Sequence, residues 1–537
     1  MRLKASILFL LLSALVLRAQ NAPRLVVLIV VDQMRADYVD RFQADWSGGL
    51  KRLVSKGAWF NRAAYPYLDT VTCAGHATIG TGAFPVRHGV FQNSWFDRAA
   101  NAVVTCTGDA TAKGVAYGKS VAASESAARL MVPTFADEMR RQRSGHVVSL
   151  SLKARSAIMM AGHGGDAVTW LSDSLDGWTT STAFATAPVP QVKEFVTANP
   201  IEADYGKTWN LLLPAVSYAD PDAGVGETPP PGWTRSFPHV LRGNQGDSLP
   251  TDAYYTQWER SPFADAYLGR MAAALAESMQ LGKHDTTDML AVSFSSPDLV
   301  GHGFGPRSHE IREMYENLDR TLGTLFDHLD RLVGPDQYVV ALSSDHGVTE
   351  IPEQLRADGR DGGRIDAQAI AQAVEQAAIN AAGPGPYVLR FVGNDIYLAE
   401  GKFQKLAKQP GAVDAVIKAA AGRPGVGRVF RGDELVSATS SRDPLLRAAA
   451  LDYVPDRGGD LMIAPKAGWM AGGLGTTHGS ANPDDQRVPI LLMGRGIKQG
   501  RYGDAASPAD IAPTLASLCG ITLPQAQGTV LRSALAK

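Results

Sequence analysis

Three aspartates stand where runs of apolar residues stop: Asp32 after Leu25–Val31 (LVVLIVV), Asp298 after residues 288–297 (DMLAVSFSSP), and Asp345 after residues 337–344 (QYVVALSS). Histidines lie beside them. Asp298 and His302 are four residues apart across Gly301, which permits a sharp turn; Asp345 and His346 are adjacent; His478 sits in the loop 475–480 (GTTHGS). A lone Asp after a strand is a turn former or a helix cap. Three carboxylates with three imidazoles can instead give two divalent cations three protein ligands each and leave positions open for a substrate. Mixed Asp/His ligation suits Zn²⁺, and two such ions about 3.5–4 Å apart can stabilise the attacking and leaving oxygens of a phosphoryl transfer. Thr72 is the candidate nucleophile. Small residues follow it (TCAGHATIG), so a helix can begin close to a bound anion, which its free N–H groups and dipole favour. A threonine hydroxyl reacts only when a base or metal lowers its pKa; otherwise Thr72 is a helix cap. His76, His88, His163 and His309 read as hydrogen-bonded core or loop residues.

The elements that must position these residues follow from patterning. Continuous rather than alternating hydrophobicity suits strands buried on both faces, as in a parallel sheet, and residues 488–494 (VPILLMG) supply a fourth such run. Residues 308–332 repeat apolar side chains at helical spacing, with Ser308 as cap, and residues 507–519 read as a closing helix with Pro508 in its first turn and Gly520 at its stop. The pattern predicts an α/β fold: a mixed, mostly parallel central sheet with helices on both faces, whose ligands bind beyond the carboxyl ends of the strands. Two stretches break it. Residues of about 175–250 are rich in Pro, Gly, Ser and Thr and read as surface excursions. Residues of about 355–455 carry their own elements, with helices around 365–381 and 403–421 and a strand at 386–391, and read as an insertion over one face of the sheet.

Composition narrows the class. The chain has 537 residues, 45% hydrophobic and 20% charged, with a net charge of −2, which excludes a disordered chain, a coiled coil and a polytopic membrane protein. No bulk basic charge is present to attract nucleic acid or anionic lipid. Arg2 and Lys4, the apolar run 7–17 and the small residue Ala19 form a charged region, a hydrophobic region and a cleavage site. Residues 1–19 are therefore expected to be a cleaved signal peptide of a soluble, exported protein with no stable membrane insertion, periplasmic or secreted; no Cys follows the run to carry a lipid. Three cysteines make no disulfide scaffold; whether Cys73 pairs with Cys106 stays open.

The segments LVVLIVVDQMRADY, TVTCAGHATIGTGAFPVRHGVFQNSWFD, SLKARSAIMMAGH, SSPDLVGHGFGP, SSDHG, THGSANPDDQRVPILLMGRGI and DIAPTLASLCGI resemble, in order along nearly the whole mature chain, the alkaline phosphatase superfamily. They are most similar to bacterial alkaline phosphatases with a threonine nucleophile and a Lys/Arg pair, relatives of the type I phosphodiesterases and nucleotide pyrophosphatases. The resemblance implies one catalytic domain over 20–537, its insertions capping the active-site edge, and two Zn²⁺ per chain. Asp32, Asp345 and His346 match the ligands of one zinc, which would also bind Thr72 as an alkoxide; Asp298, His302 and His478 match those of the other, at the leaving oxygen. Asn93, Lys153 and Arg155 match the side chains that contact the phosphoryl oxygens. Small phosphate monoesters are the substrates it implies, turned over through a phosphothreonine; a monomer is the favoured state.

Charge separates the subfamilies. A monoester is dianionic near neutral pH and a diester carries one charge, so extra cations at the nonbridging oxygens favour the monoester, Arg as a planar fork and Lys as a point charge. Without the resemblance, Lys153 and Arg155 read as a solvated face. The rivals are a phosphodiesterase or nucleotide pyrophosphatase of the same superfamily, which does not need the pair, and a non-catalytic metal- or phosphate-binding protein, which does not need Thr72. A sulfatase is disfavoured because Cys73-Ala-Gly-His-Ala77 lacks the Pro and Arg that the sulfatase motif places after its Cys.

Overall fold

The computed structural model describes residues 22–118, 123–172 and 177–536; the expected signal peptide at 1–19 lies outside the described residues. A strand apolar on both faces needs cover on both, and Leu25–Val31 (β1) has it: Leu25, Val27, Ile29 and Val31 enter one core, while Val26, Leu28 and Val30 enter the other. Beside it lie Ala58–Phe60 (β2), Gly114–Ala116 (β3), Val147–Ser151 (β4), Ala167–Leu171 (β5), Trp178–Ser181 (β6), Asp288–Phe294 (β7), Tyr338–Ser343 (β8), Ile490–Gly494 (β9) and Gly500–Tyr502 (β10). Together they make a ten-stranded sheet in the order β10-β2-β9-β8-β1-β7-β4-β5-β6-β3.

The five central strands, β8, β1, β7, β4 and β5, are parallel, and their register aligns their carboxyl ends: Val31 faces Phe294, Val30 faces Ser343 and Ser293 faces Ser151. β9 runs antiparallel to β8. The fold is thus the mixed, mostly parallel α/β sheet that the apolar runs predict. The long helix His309–Leu332 packs into one core through Ile311, Met314, Leu318, Leu322, Leu325 and Leu329, and the Ser308 hydroxyl accepts from the Ile311 N–H as expected of a cap. Among the described residues no helix is long and apolar enough to cross a membrane.

Two expectations need correction. The Pro/Gly-rich stretch near 175–250 is not all surface: Trp209, Trp233 and Leu241 join the main core, because each carries apolar area enough to outweigh its polar neighbours. The expected helix over 403–421 is two helices, Lys402–Ala407 and Ala412–Ala421, since Pro410 has no N–H to donate and Gly411 turns left-handed at φ 74°. These helices belong to a second, four-stranded sheet with its own core, which includes Ile370, Val374, Val416 and Ile463.

Cys73 and Cys106, left open by the sequence, are joined in a disulfide with a sequence separation of 33 residues. Closing a loop of that length removes about 3–4 kcal/mol of chain entropy from the unfolded state. Replacing both cysteines with alanine is expected to cost about 2–4 kcal/mol in urea unfolding; an unchanged midpoint would contradict this.

Candidate active site

The parallel strands deliver polar residues to one edge. Asp32 directly follows β1, Asp345 follows β8 by two residues, and Asp298 lies in the first turn of Ser296–Phe304, just past β7. Because β9 runs the other way, its amino end reaches the same edge and brings the His478 loop with it. Thr72 is the first residue of Thr72–Thr81 (α1), a helix buried along its whole length. Lys153 precedes Ala154–Ala161 (α2), two residues beyond β4.

The structure brings the six expected ligands together. His302 Nε2 is 3.2 Å and His478 Nε2 3.6 Å from Asp298 Oδ1. His346 Nε2 is 3.5 Å from Asp32 Oδ1, 3.4 Å from Asp345 Oδ2 and 3.4 Å from the Thr72 hydroxyl. Ligand atoms within 4.8 Å of one another form two groups, Asp32/Asp345/His346 and Asp298/His346/His478. His346 is therefore shared, whereas His302 approaches through Asp298 and has 36% of its side chain exposed.

Each of the three imidazoles is oriented by main chain: His302 Nδ1 to Thr476 O at 2.8 Å, His346 Nδ1 to Gly347 O at 2.9 Å, His478 Nδ1 to Thr70 O at 2.8 Å. A carbonyl can only accept, so each Nδ1 carries the proton and each Nε2 turns its lone pair toward the carboxylates, the arrangement of metal-ligating histidines. Asp32 Oδ1 is buried with no hydrogen-bond partner, and Asp345 Oδ2 has near it only His76 Nδ1 at 3.2 Å, a nitrogen that already donates to the Thr72 carbonyl, and His346. Oriented lone pairs and under-partnered carboxylate oxygens fit divalent cations.

Electrostatics points the same way. Burial raises the Asp32 carboxyl well above the usual range, and Asp298 and Asp345 add to it against the pull of Lys153. Burial also works against Asp298 and Asp345, but the neighbouring histidines and Lys153 outweigh it and hold both well below that range. Burial, followed by His346 and His302, pushes His478 well down, and burial lowers His346, so both favour the neutral, ligating form. The raised Asp32 carboxyl shows that the pocket resists a third negative charge, a cost that bound cations would remove.

Asn93 and Lys153 are fixed by different means. The Asn93 side-chain oxygen accepts from the Cys73 N–H at 2.9 Å, and its backbone carbonyl accepts from the Cys106 N–H at 2.9 Å, so the disulfide holds this residue at the start of α1 with its amide N–H groups left to donate. Lys153 donates to Asp32 Oδ2 at 2.6 Å and Asp298 Oδ2 at 2.5 Å, one carboxylate from each side of the site. The Arg155 Nε is buried without a partner.

Two further residues reach the site. Gln33, left-handed at φ 69°, donates its backbone N–H to Asp345 Oδ1 at 3.1 Å and its side-chain amide to Asp298 Oδ1 at 2.6 Å, bridging the two ligand sets. His76, set aside as a core histidine, does pack in the core, with Nε2 on Ser293 Oγ at 2.8 Å, yet its Nδ1 also lies 3.2 Å from Asp345 Oδ2. Each lies close in sequence to Asp32 or Thr72, which does not separate a site residue from a packed one. Gly75 is required by close approach: a Cβ there would sit 2.1 Å from the Asp345 carbonyl oxygen.

A parallel core whose strand ends converge three aspartates and three histidines beside a threonine at the first position of a buried helix has the architecture of the alkaline phosphatase superfamily. Within it, the chain belongs to the type I phosphodiesterase / nucleotide pyrophosphatase family, whose model matches residues 26–478. It is 31% identical over 519 residues to alkaline phosphatase PafA of Elizabethkingia meningoseptica, covering 94% of this chain and 92% of that one. It is 33% identical to alkaline phosphatase PhoK of a Sphingomonas species, with 95% and 90% covered. The crystal structure of wild-type PafA superposes with a TM-score of 0.86 at 30% identity, covering 96% of this chain and 99% of that chain.

Gln33→Ala removes the amide that orients Asp298 and should weaken divalent-cation binding at these ligands about 10–100-fold, measured by competition with a chelator. Unchanged affinity would show that the Gln33 bridge does not set the ligand geometry.

Proposed function

We propose that the chain is an exported alkaline phosphatase that hydrolyses phosphate monoesters through a phosphothreonine at Thr72. Asp32, Asp345 and His346 would hold one Zn²⁺ and Asp298, His302 and His478 a second. Bound there, zinc supplies Lewis acidity, lowering the pKa of an oxygen nucleophile and offsetting charge on a departing oxygen.

The chain's own residues then have defined tasks. The Thr72 oxygen attacks phosphorus, the phosphorus–threonine bond forms as the ester bond opposite it breaks, and the alcohol leaves. Water then attacks the same phosphorus, releasing inorganic phosphate and restoring the hydroxyl. The free N–H groups of Asn93 donate to a nonbridging oxygen, since its own oxygen is engaged by Cys73. Lys153 and Arg155 complement the remaining negative charge once cations claim the Asp32 and Asp298 oxygens that now hold the ammonium. Most of the catalysis is positioning and charge stabilisation.

The observation that carries the reading is Lys153, a buried ammonium at the junction of both ligand sets with Arg155 two residues on. Two cationic side chains beyond the metal ligands suit a dianion. Near-full-length relatives that bear the name alkaline phosphatase support the same choice, while the family model's name favours a diesterase. Export rests on Arg2, Lys4, the apolar run and Ala19, and a disulfide beside Thr72 suits an oxidising compartment such as the periplasm.

Rates on a phenyl phosphate monoester and on the matching diester test the proposal. Lys153→Ala should lower kcat/KM on the monoester about 100-fold and on the diester much less. Equal losses on both, or a faster diester reaction in the unmodified chain, would favour the diesterase.

A further inference from the structure

The amino ends of the same parallel strands hold a second set of metal-capable side chains, on the opposite edge of the sheet from Thr72. His146 immediately precedes β4, Asp166 immediately precedes β5, Asp288 is the first residue of β7, and His284 lies in the turn leading into it. Seven residues of β7 at about 3.3 Å each separate this edge from the active site by roughly 20 Å. From the convergence of these residues we propose a second, non-catalytic zinc site formed by His146, His284 and Asp288, with Asp166 orienting the His146 ring.

The geometry carries it. The two imidazoles lie with ring centroids 4.1 Å apart, tilted 30° to each other. One ligand atom from each of His146, His284 and Asp288 lies within 4.8 Å of the others. His284 Nδ1 is 2.7 Å from Asp288 Oδ2, and His146 Nδ1 is 3.2 Å from Asp166 Oδ1. A carboxylate on Nδ1 fixes the His146 tautomer and leaves its Nε2 lone pair free to ligate.

Main-chain N–H groups hold the same carboxylates as well. Asp288 accepts from the His146 N–H at 3.1 Å and the Gly282 N–H at 2.7 Å, and Asp166 accepts from the Val147 N–H at 2.7 Å. Main chain thus prearranges the acidic half of the site, so the histidines are not needed to satisfy it. Zn²⁺ binds imidazole and carboxylate together, and two His with one Asp suit it. Asp288 is wholly buried while His146 and His284 keep 43% and 31% of their side chains exposed, which gives a rigid floor and a path from solvent. Zinc there would tie together the connections entering β4, β5 and β7.

The proposal stands apart from the phosphatase reading, because none of these residues touches the active site. Equilibrium dialysis of the zinc-loaded protein against micromolar Zn²⁺ tests it. The unmodified chain should bind one equivalent more than a His146→Ala/His284→Ala variant, with the rate on a phosphate monoester unchanged between them. Equal zinc content in both would overturn the site and leave plain ion pairs. A second measurement needs no variant: Zn²⁺ should protect His146 and His284 from modification by diethyl pyrocarbonate, read by mass spectrometry. Equal labelling with and without zinc would also overturn it.

Discussion

Three carboxylates, Asp32, Asp298 and Asp345, are buried within reach of one another with a single ammonium between two of them. Taking ions out of water costs several kcal/mol each unless opposite charge compensates, so the site is intelligible only as one built to receive cations. The surroundings follow from that constraint. Parallel register brings the strand ends level, backbone carbonyls turn three Nε2 lone pairs inward, and Lys153 occupies the junction where both ligand sets meet.

The same constraint explains why backbone approaches so closely here. α1 must run against the Asp345 main chain to put the Thr72 hydroxyl beside His346, which leaves no room for a side chain at Gly75. Gln33 accepts a left-handed conformation, rare for a residue with a Cβ, and its backbone and side chain then donate to two different ligand carboxylates. Local strain is kept where the function needs a fixed geometry. The disulfide serves the neighbouring residue: by joining Cys73 to Cys106 it clamps Asn93 from both its side chain and its carbonyl.

Much of this was legible in the sequence, for physical reasons. Strands buried on both faces must be continuously apolar, so β1, β7 and β8 announced themselves, and the aspartates at their ends marked the functional edge. The site beyond those aspartates was read through a family resemblance more than through spacing. What escaped depended on contacts between distant segments. Nothing local in Asp32-Gln33-Met34 says that Gln33 reaches Asp298, and His76 is indistinguishable in sequence from any packed histidine. The zinc candidates His146 and His284 lie far apart in the chain and meet only because β4 and β7 are neighbours. Tryptophans in a Pro/Gly-rich stretch were likewise hidden by composition averaged over a window.

Every role assigned to Thr72 and its neighbours requires two divalent cations in this pocket. Anomalous scattering at the zinc absorption edge, from crystals of the protein loaded with zinc, tests it most directly. Two peaks about 4 Å apart should appear, one bonded to Asp32, Asp345 and His346, the other to Asp298, His302 and His478. A single peak shared by all six side chains, or none among them, would contradict it.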